Sequence, residues 1–156
     1  MKYGRIVILL KGRFAGRKAV VISANEAGTK DRKYPHALVT GIDRYPRKVH
    51  KELSKARLEQ RIKIKPFVRY VNLNHVLPTR YAVASELSLD GAVKLIESAA
   101  STSKTGGDVI GNPDFRQTLK KSLKTNFESK YSGLNLNEHN DEKVGRLKFF
   151  FKRLRF

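Results

Sequence analysis

The histidines and acidic residues of this 156-residue sequence do not form the groups that catalysis or metal binding requires. The four histidines show neither a paired metal-ligand spacing nor an HExxH arrangement, and there is no cysteine to supply a thiolate. Acidic residues such as Asp43, Glu52 and Glu59 each lie among Lys and Arg, which is typical of local charge partners rather than of an acid–base pair. We therefore predict no catalytic residue, metal site, cofactor or small-molecule substrate, and we expect the protein not to be an enzyme.

A basic, glycine-containing segment near the N-terminus is the first candidate for binding phosphate. Three residues separate Gly12 from Gly16, whereas a nucleotide-binding P-loop has four, and no Lys-Ser/Thr pair follows Gly16. The segment is either a plain hairpin turn with a soluble tip or a surface that contacts nucleic-acid phosphates. Under the second interpretation the candidate contacts are Lys11, Arg13, Arg17 and Lys18.

The most basic segment of the sequence lies between residues 44 and 65, where nine Lys and Arg face only Glu52 and Glu59. Such a run is either a solvated face or a phosphate-binding surface, and the nearby aromatic residues Tyr45 and Tyr70 favour the second, because aromatic rings stack on unpaired bases. Phe67 is expected in the core. The candidate contacts are Arg44, Arg47, Lys48, Lys51, Arg57, Arg61, Lys63 and Lys65, with Arg80 as a further one.

The last eight residues, Phe149 to Phe156, combine aromatic and basic side chains. They either dock on a partner, with Arg153 and Arg155 on phosphates, or return as a strand or helix to the protein's own core. The sequence leaves both alternatives open, since an exposed apolar tail would be a liability in a free protein.

The charge of the whole sequence indicates a polyanionic partner. The net charge is +19, and residues 1–80 hold 20 Lys and Arg against five Asp and Glu. Charge repulsion of this size weakens a compact fold unless a polyanion neutralises it. An acidic membrane surface is a weaker alternative, because the N-terminal half has no strongly amphipathic basic helix. We expect an intracellular, soluble protein without a signal peptide or membrane span, since the longest apolar run is Ile6 to Leu10.

Short runs rich in β-branched residues predict four or five strands in the first 85 residues, which is typical of a small β-barrel. Strands are expected at 5–10, 19–22, 36–42 and 66–71, with a turn-rich stretch at 72–79 and a last strand at 81–83. A short helix or ordered loop is expected within 44–65. The fold class is therefore mainly β with α: a small barrel followed by a helical and extended C-terminal region.

The second half of the sequence predicts helices. Residues 101–112 form a Ser/Thr/Gly-rich linker, after which Asn112 and Pro113 provide an N-cap and a first-turn proline. Apolar residues then recur every four positions along one helical stripe, at Phe115, Leu119, Leu123, Phe127 and Tyr131. The expected division is a barrel at 1–85 with a basic insertion at 44–65, a short helix and flexible linker at 86–112, an amphipathic helix at 113–132, and a loop with a basic-aromatic tail at 133–156.

Several of these segments also resemble a known family. The turn at 11–18 resembles the KOW motif of SH3-like barrels in ribosomal and transcription-elongation proteins, although Ala19 stands where many such motifs have a further glycine. Residues 36–49 (HALVTGIDRYPRKV), 63–68 (KIKPFV) continuing through 74–81 (NHVLPTRY), and the terminus ending LRF resemble the eukaryotic 27e family of large-subunit ribosomal proteins. The likeness covers residues 1–83 in order, and the C-terminal end.

The resemblance implies an SH3-like barrel docked on large-subunit ribosomal RNA, in contact with neighbouring ribosomal proteins. It also implies a cytosolic ribosome, passage through the nucleus and nucleolus during assembly, and no homo-oligomer. The sequence departs from the family pattern between about Ala84 and Lys148, and Phe149 stands where the family usually has Trp. The rival interpretation is a KOW module that binds another protein during transcription elongation, for which a modest charge and an exposed apolar groove would be expected.

Overall fold

The computed structural model describes residues 1–50, 52–102, 109–134 and 142–154. Several predictions fall wholly or partly outside these ranges: Lys51 and Arg155 as RNA contacts, the linker at 101–112, and the loop with a basic-aromatic tail at 133–156. The strands are β1 (Arg5–Leu9), β2 (Lys18–Asn25), β3 (His36–Arg44), β4 (Lys65–Asn72) and β5 (Val76–Ala82). The helices are α1 (Lys55–Ile62), α2 (Ala84–Leu87), α3 (Asp90–Thr102), α4 (Pro113–Ser132) and α5 (Glu142–Phe151).

The five strands form one antiparallel sheet in the order β4-β3-β2-β1-β5. Alternate residues point to opposite faces of a strand, so Val20 and Leu38 join the core beneath the helices, while Val21 and Val39 join a second core on the other face. Burial of both faces explains why the strands read as continuous apolar runs. The predicted fold class, a small SH3-like barrel followed by helices, is confirmed.

The sheet bends at irregularities of register, which curve it towards a barrel. The pairing of β2 with β3 shifts between Val21 and Ser23, and that of β3 with β4 shifts between Ile42 and Arg44. An extra residue at such a point increases the local twist and bend of a strand. The second shift lies at the end of β3, where the basic segment begins.

The start of β5 differs from the prediction. A turn was expected through residue 79 and a strand at 81–83, whereas the strand begins at Val76, directly after a 3₁₀ turn at Leu73–His75. Pro78 and the polar residues around it mask this strand in the sequence. Proline is tolerated there because β5 is the last strand in the sheet order, where one side of the strand lacks a partner in the sheet.

Helix α4 covers one face of the sheet and packs against β4. The Asn112 side chain accepts a hydrogen bond from the Asp114 amide at 3.1 Å, which caps the helix, and a proline occupies the first turn. Leu119, Leu123 and Phe127 are buried along the predicted stripe.

The C-terminal aromatic residues return to the protein's own core. Phe150 and Phe151 on α5 are buried, and their rings lie 5.5 and 6.3 Å from the ring of Phe127. Of the two alternatives that the sequence left open, the structure therefore shows the internal one for these two rings.

Candidate nucleic-acid interface

Basic residues from three distant parts of the sequence meet around Tyr45. One cleft of about 590 Å³ lies between the chain after β3 and helix α1, and an adjoining cleft of about 540 Å³ extends towards the β1–β2 turn and the C-terminal segment. Arg44, Tyr45 and Arg47 line both clefts. We call the two together the basic cleft; its cations are Arg17, Arg44, Arg47, Arg57, Arg61, Lys63, Lys65 and Arg153.

Acidic residues are nearly absent from this surface. Among the described residues that line the basic cleft, Asp43 is the one carboxylate, and Lys65 pairs with it at 3.1 Å. The Lys65 side chain remains well exposed in this pair, and exposed ion pairs are weak. The lining therefore presents a large excess of positive charge to solvent.

Backbone and side-chain hydrogen bonds hold helix α1 against the segment that follows β3. The Arg47 amide donates to the carbonyl of Arg61 at 2.9 Å. The Arg61 guanidinium in turn donates to the carbonyl of Lys48, also at 2.9 Å. Arg61 thus fixes the shape of the cleft, while Arg44, Arg47, Arg57 and Lys63 expose their side chains along it.

Tyr45 ties the end of β3 to the start of β2. Its hydroxyl oxygen accepts a hydrogen bond from the Lys18 amide at 3.1 Å, and the Arg17 guanidinium lies 5.9 Å from its ring centroid. Burial raises the pKa of Tyr45, and this effect outweighs the opposing effects of the Lys18 hydrogen bond and the charges of Arg17 and Arg153. The phenol therefore stays neutral at physiological pH and acts as a fixed hydrogen-bond acceptor.

Lys18 is buried, although we predicted it as a phosphate contact. Only 1% of it is exposed, and its ammonium donates to the carbonyl oxygens of Phe149 and Lys152 at the end of α5. It also lies 4.0 Å from the ring centroid of Phe149. A cation at the carbonyl end of a helix is favourably placed. Because this ammonium is enclosed, it is not presented to a phosphate, and Lys18 does not line the interface.

The remaining predicted contacts lie in different places. Lys11 and Arg13 line a different groove, described below. Lys48 is exposed next to the basic cleft, where its carbonyl oxygen accepts the hydrogen bond from the Arg61 guanidinium. Arg80 is exposed on β5 and donates to the hydroxyl of Tyr81 at 3.1 Å, outside the lining of the basic cleft. In the tail, Arg153 reaches the cleft, and Arg155 lies outside the described residues.

Helix α4 contributes cations that the sequence reasoning did not include. The pKa of Lys120 is lowered, first by burial and then by the positive charges of Arg116, Lys65, Arg69 and Arg13. Lys120 on α4 therefore adds to the positive charge contributed by the cations of the barrel. The sequence does contain a signal for these cations. Arg116 and Lys120 directly follow Phe115 and Leu119 of the apolar stripe, so they flank the buried face of the helix.

Neither a metal centre nor a membrane span occurs in the part of the chain that the structure describes. No three His, Asp or Glu side chains within 1–50, 52–102, 109–134 and 142–154 are grouped to hold a metal ion. None of the helices in these ranges has the length and apolar composition needed to cross a bilayer.

Comparison with known proteins gives a consistent result over the whole chain. Residues 6–156 match the Ribosomal L27e protein family. The chain is also similar to the large ribosomal subunit protein eL27 of Tetrahymena thermophila, with 42% identity over 156 residues that cover all of this chain and 97% of that protein. The stretch between Ala84 and Lys148, where the sequence departs from the family pattern, is included in both matches.

Proposed function

Because this chain belongs to the L27e family of ribosomal proteins, we propose that it is a structural constituent of the cytosolic large ribosomal subunit and holds ribosomal RNA through phosphate contacts in the basic cleft. The observation that carries the RNA contact is the convergence of eight cations from three sequence segments around Tyr45, with a single paired carboxylate among them. A polyanion would relieve the repulsion among these cations.

The side chains of the cleft suit a phosphate backbone better than base edges. Six of its eight cations are arginines, whose planar guanidinium groups bind phosphate oxygens in pairs. Contacts of this kind fix the position and orientation of an RNA without reading its sequence. The role is therefore to bind and organise folded RNA, with no catalytic step and no cofactor.

We also propose partners, a cellular location and a division of roles along the chain. The chain contacts neighbouring ribosomal proteins and acts as a single copy. It binds neither a membrane nor a small-molecule substrate. During assembly it passes through the nucleus and nucleolus. Residues 1–85 form the main RNA-binding unit, with the basic insertion at 44–65. Residues 86–112, 113–132 and 133–156 form the C-terminal part, from which Arg153 reaches the cleft.

Sedimentation with a charge variant tests the proposal. The variant Arg47→Gln/Arg57→Gln/Lys63→Gln removes three exposed cations of the cleft. The control Lys2→Gln/Lys30→Gln/Lys94→Gln removes three exposed cations outside it. Tagged copies are followed through a sucrose gradient after a high-salt wash. We expect the control to remain with large subunits and the cleft variant to be depleted. Equal retention of both would contradict the role of the cleft, and absence of the unmodified protein from large subunits would contradict the proposed function.

A further inference from the structure

A second groove, distinct from the basic cleft, combines aromatic rings with cations. It has a volume of about 450 Å³ and lies between the β1–β2 turn and β4. We call it the aromatic groove. The residues that define it are the rings of Phe14, Tyr34 and Tyr70 and the cations Lys11, Arg13 and Arg69. Its size falls within the range of about 300–1,000 Å³ that is usual for sites of small ligands.

The rings of this groove are held in place by packing. Phe14 stacks on the buried Phe67 with ring centroids 4.0 Å apart and planes 4° from parallel. Tyr34 and Tyr70 both meet the buried His36 edge-on, at 5.8 and 5.6 Å. A ligand that stacks here therefore need not order the rings first, which lowers the entropic cost of binding.

One ring remains open to solvent. Tyr34 is 43% exposed, so a ligand can reach part of its ring. At the turn, Gly12 adopts a φ of +85°, and a side chain placed there would meet nothing within 4 Å. Because Gly12 has no side chain, a bulky ligand can approach Phe14 and the neighbouring cations closely.

The charges of the groove select the kind of ligand. Its described lining contains Lys11, Arg13 and Arg69 but no acidic residue. The Arg32 guanidinium already lies 4.1 Å from the ring centroid of Tyr70, so Tyr34 is the ring on which a ligand would stack. An acidic peptide would use the cations but not the ring of Tyr34. A nucleotide uses both, because its base stacks on an aromatic ring while its phosphates contact Lys and Arg.

The groove is also connected to the basic cleft by charge. Lys65 of the cleft and Arg69 of the groove are both exposed on β4, four residues apart. Residues at this spacing point to the same face of a strand, so exposed cations continue from one surface to the other and one RNA strand can contact both.

From this geometry we infer that the aromatic groove binds an unpaired base of ribosomal RNA, stacked against Tyr34, with its flanking phosphates on Lys11, Arg13 and Arg69. The inference rests on the proposed function and adds a ligand class to it: a nucleotide splayed out of a helix, in addition to the phosphate backbone that the basic cleft contacts.

Binding of the full chain to a labelled, short, single-stranded oligoadenylate tests this inference. Tyr34→Leu should weaken binding about tenfold, the order expected for loss of one base–aromatic stack. The slope of affinity against salt should stay unchanged, because no cation is lost. Tyr34→Phe should bind as the unmodified protein does, since it retains the ring. The matched control is Tyr3→Leu, because Tyr3 is 41% exposed but lies outside the groove.

Each outcome decides a separate point. Equal binding by Tyr34→Leu and Tyr3→Leu would overturn the base site. The proposed function would still stand if RNA binding by the variant Arg47→Gln/Arg57→Gln/Lys63→Gln depends less on salt than that of the unmodified protein. The base site is also overturned if Tyr34→Leu weakens binding to the double-stranded form of the oligonucleotide as much as binding to the single strand, because paired bases cannot enter the groove. Loss of oligoglutamate binding by Tyr34→Leu, with strand binding retained, would assign the groove to an acidic peptide instead.

Discussion

The ammonium of Lys18 donates to the carbonyl of Phe149 and lies 4.0 Å from the centroid of its ring, although 131 residues separate the two in sequence. This contact joins the first residue of β2 to the end of α5. Tyr45 accepts a hydrogen bond from the amide of the same lysine. Lys18 therefore lies between the two segments that bring Arg17 and Arg153 to the basic cleft, and it supports the cleft without lining it.

Replacing Lys18 by methionine should destabilise the fold. The substitution retains most of the side-chain volume but leaves the carbonyls of Phe149 and Lys152 without their donor, which costs about 1–3 kcal/mol. Urea unfolding of the full chain measures this loss. Lys2→Met, at an exposed position, is the control and should change the free energy of unfolding by less than about 0.5 kcal/mol. Equal stability of the two variants would contradict the anchoring role.

Lys18 should also leave a signature in the pH dependence of stability. Burial, and then the charge of Lys152, lower the pKa of Lys18 from 10.5 to about 8. Between these two values the folded protein binds fewer protons than the unfolded chain, so the free energy of unfolding should rise with pH through this window. The rise should be larger in the unmodified protein than in Lys18→Met. Identical pH profiles would show that the ammonium is not desolvated.

Gly41 should not tolerate a side chain. A Cβ at this position would lie 2.5 Å from the carbonyl oxygen of Lys18 and 2.7 Å from the ring of Phe67. We expect Gly41→Ala to lower the free energy of unfolding by about 1–3 kcal/mol, as other insertions into packed interiors do. The control is Gly91→Ala on α3, where an added Cβ meets nothing within 4 Å and the helix gains up to about 1 kcal/mol. Similar effects of the two substitutions would contradict the close packing at Gly41.

Loss of the Phe150 ring should destabilise the protein in the absence of any partner. Phe150 is fully buried against Phe127, so Phe150→Ala should cost about 3–5 kcal/mol. Phe150→Leu, which fills most of the space, provides a milder variant if the alanine protein does not fold. Unfolding of the free chain is the measurement. Unchanged stability of both variants would indicate that this ring serves a partner rather than the protein's own core.

Local pattern was enough to predict the barrel, because β-branched runs and positive-φ glycines encode strands and their connections over a few residues. Gly12 and Gly16 do adopt φ values of +85° and +73° at the predicted turn. The strand β5 was placed too late, because Pro78 resembles a turn signal unless its position on the last strand of the sheet is known.

The composition of the cleft could be predicted only in part. The run at 44–65 stands out in the sequence, but the position of Arg17 beside it depends on the contact of Lys18 with Tyr45 over 27 residues, and that of Arg153 on the contact of Lys18 with Phe149 over 131 residues. The burial of Lys18 could have been predicted from the alternation of residues along β2, but its place in a run of basic residues favoured an exposed position. Residues alternate along β2, so Lys18 shares a face with Val20 and Ile22, both in the core beneath the helices.

Neutralising the basic cleft should reduce the salt dependence of RNA binding. If about eight phosphates are contacted, the affinity of the full chain for ribosomal RNA should fall with a slope of about −6 to −7 against the logarithm of salt concentration. The variant Arg47→Gln/Arg57→Gln/Lys63→Gln should flatten this slope by about 2 to 3, across RNAs of different sequence. The control Lys2→Gln/Lys30→Gln/Lys94→Gln should retain the original slope. An affinity that does not change with salt would contradict the electrostatic account.

Crosslinking in intact cells, followed by sequencing of the attached RNA and mapping of the crosslinked peptides, tests the central claim most directly. We predict crosslinks on large-subunit ribosomal RNA, from peptides of the β1–β2 turn at 11–18 and of the segment at 44–65. Crosslinks scattered over messenger RNA, or no crosslinks from these two segments, would contradict the proposal that the basic cleft holds ribosomal RNA.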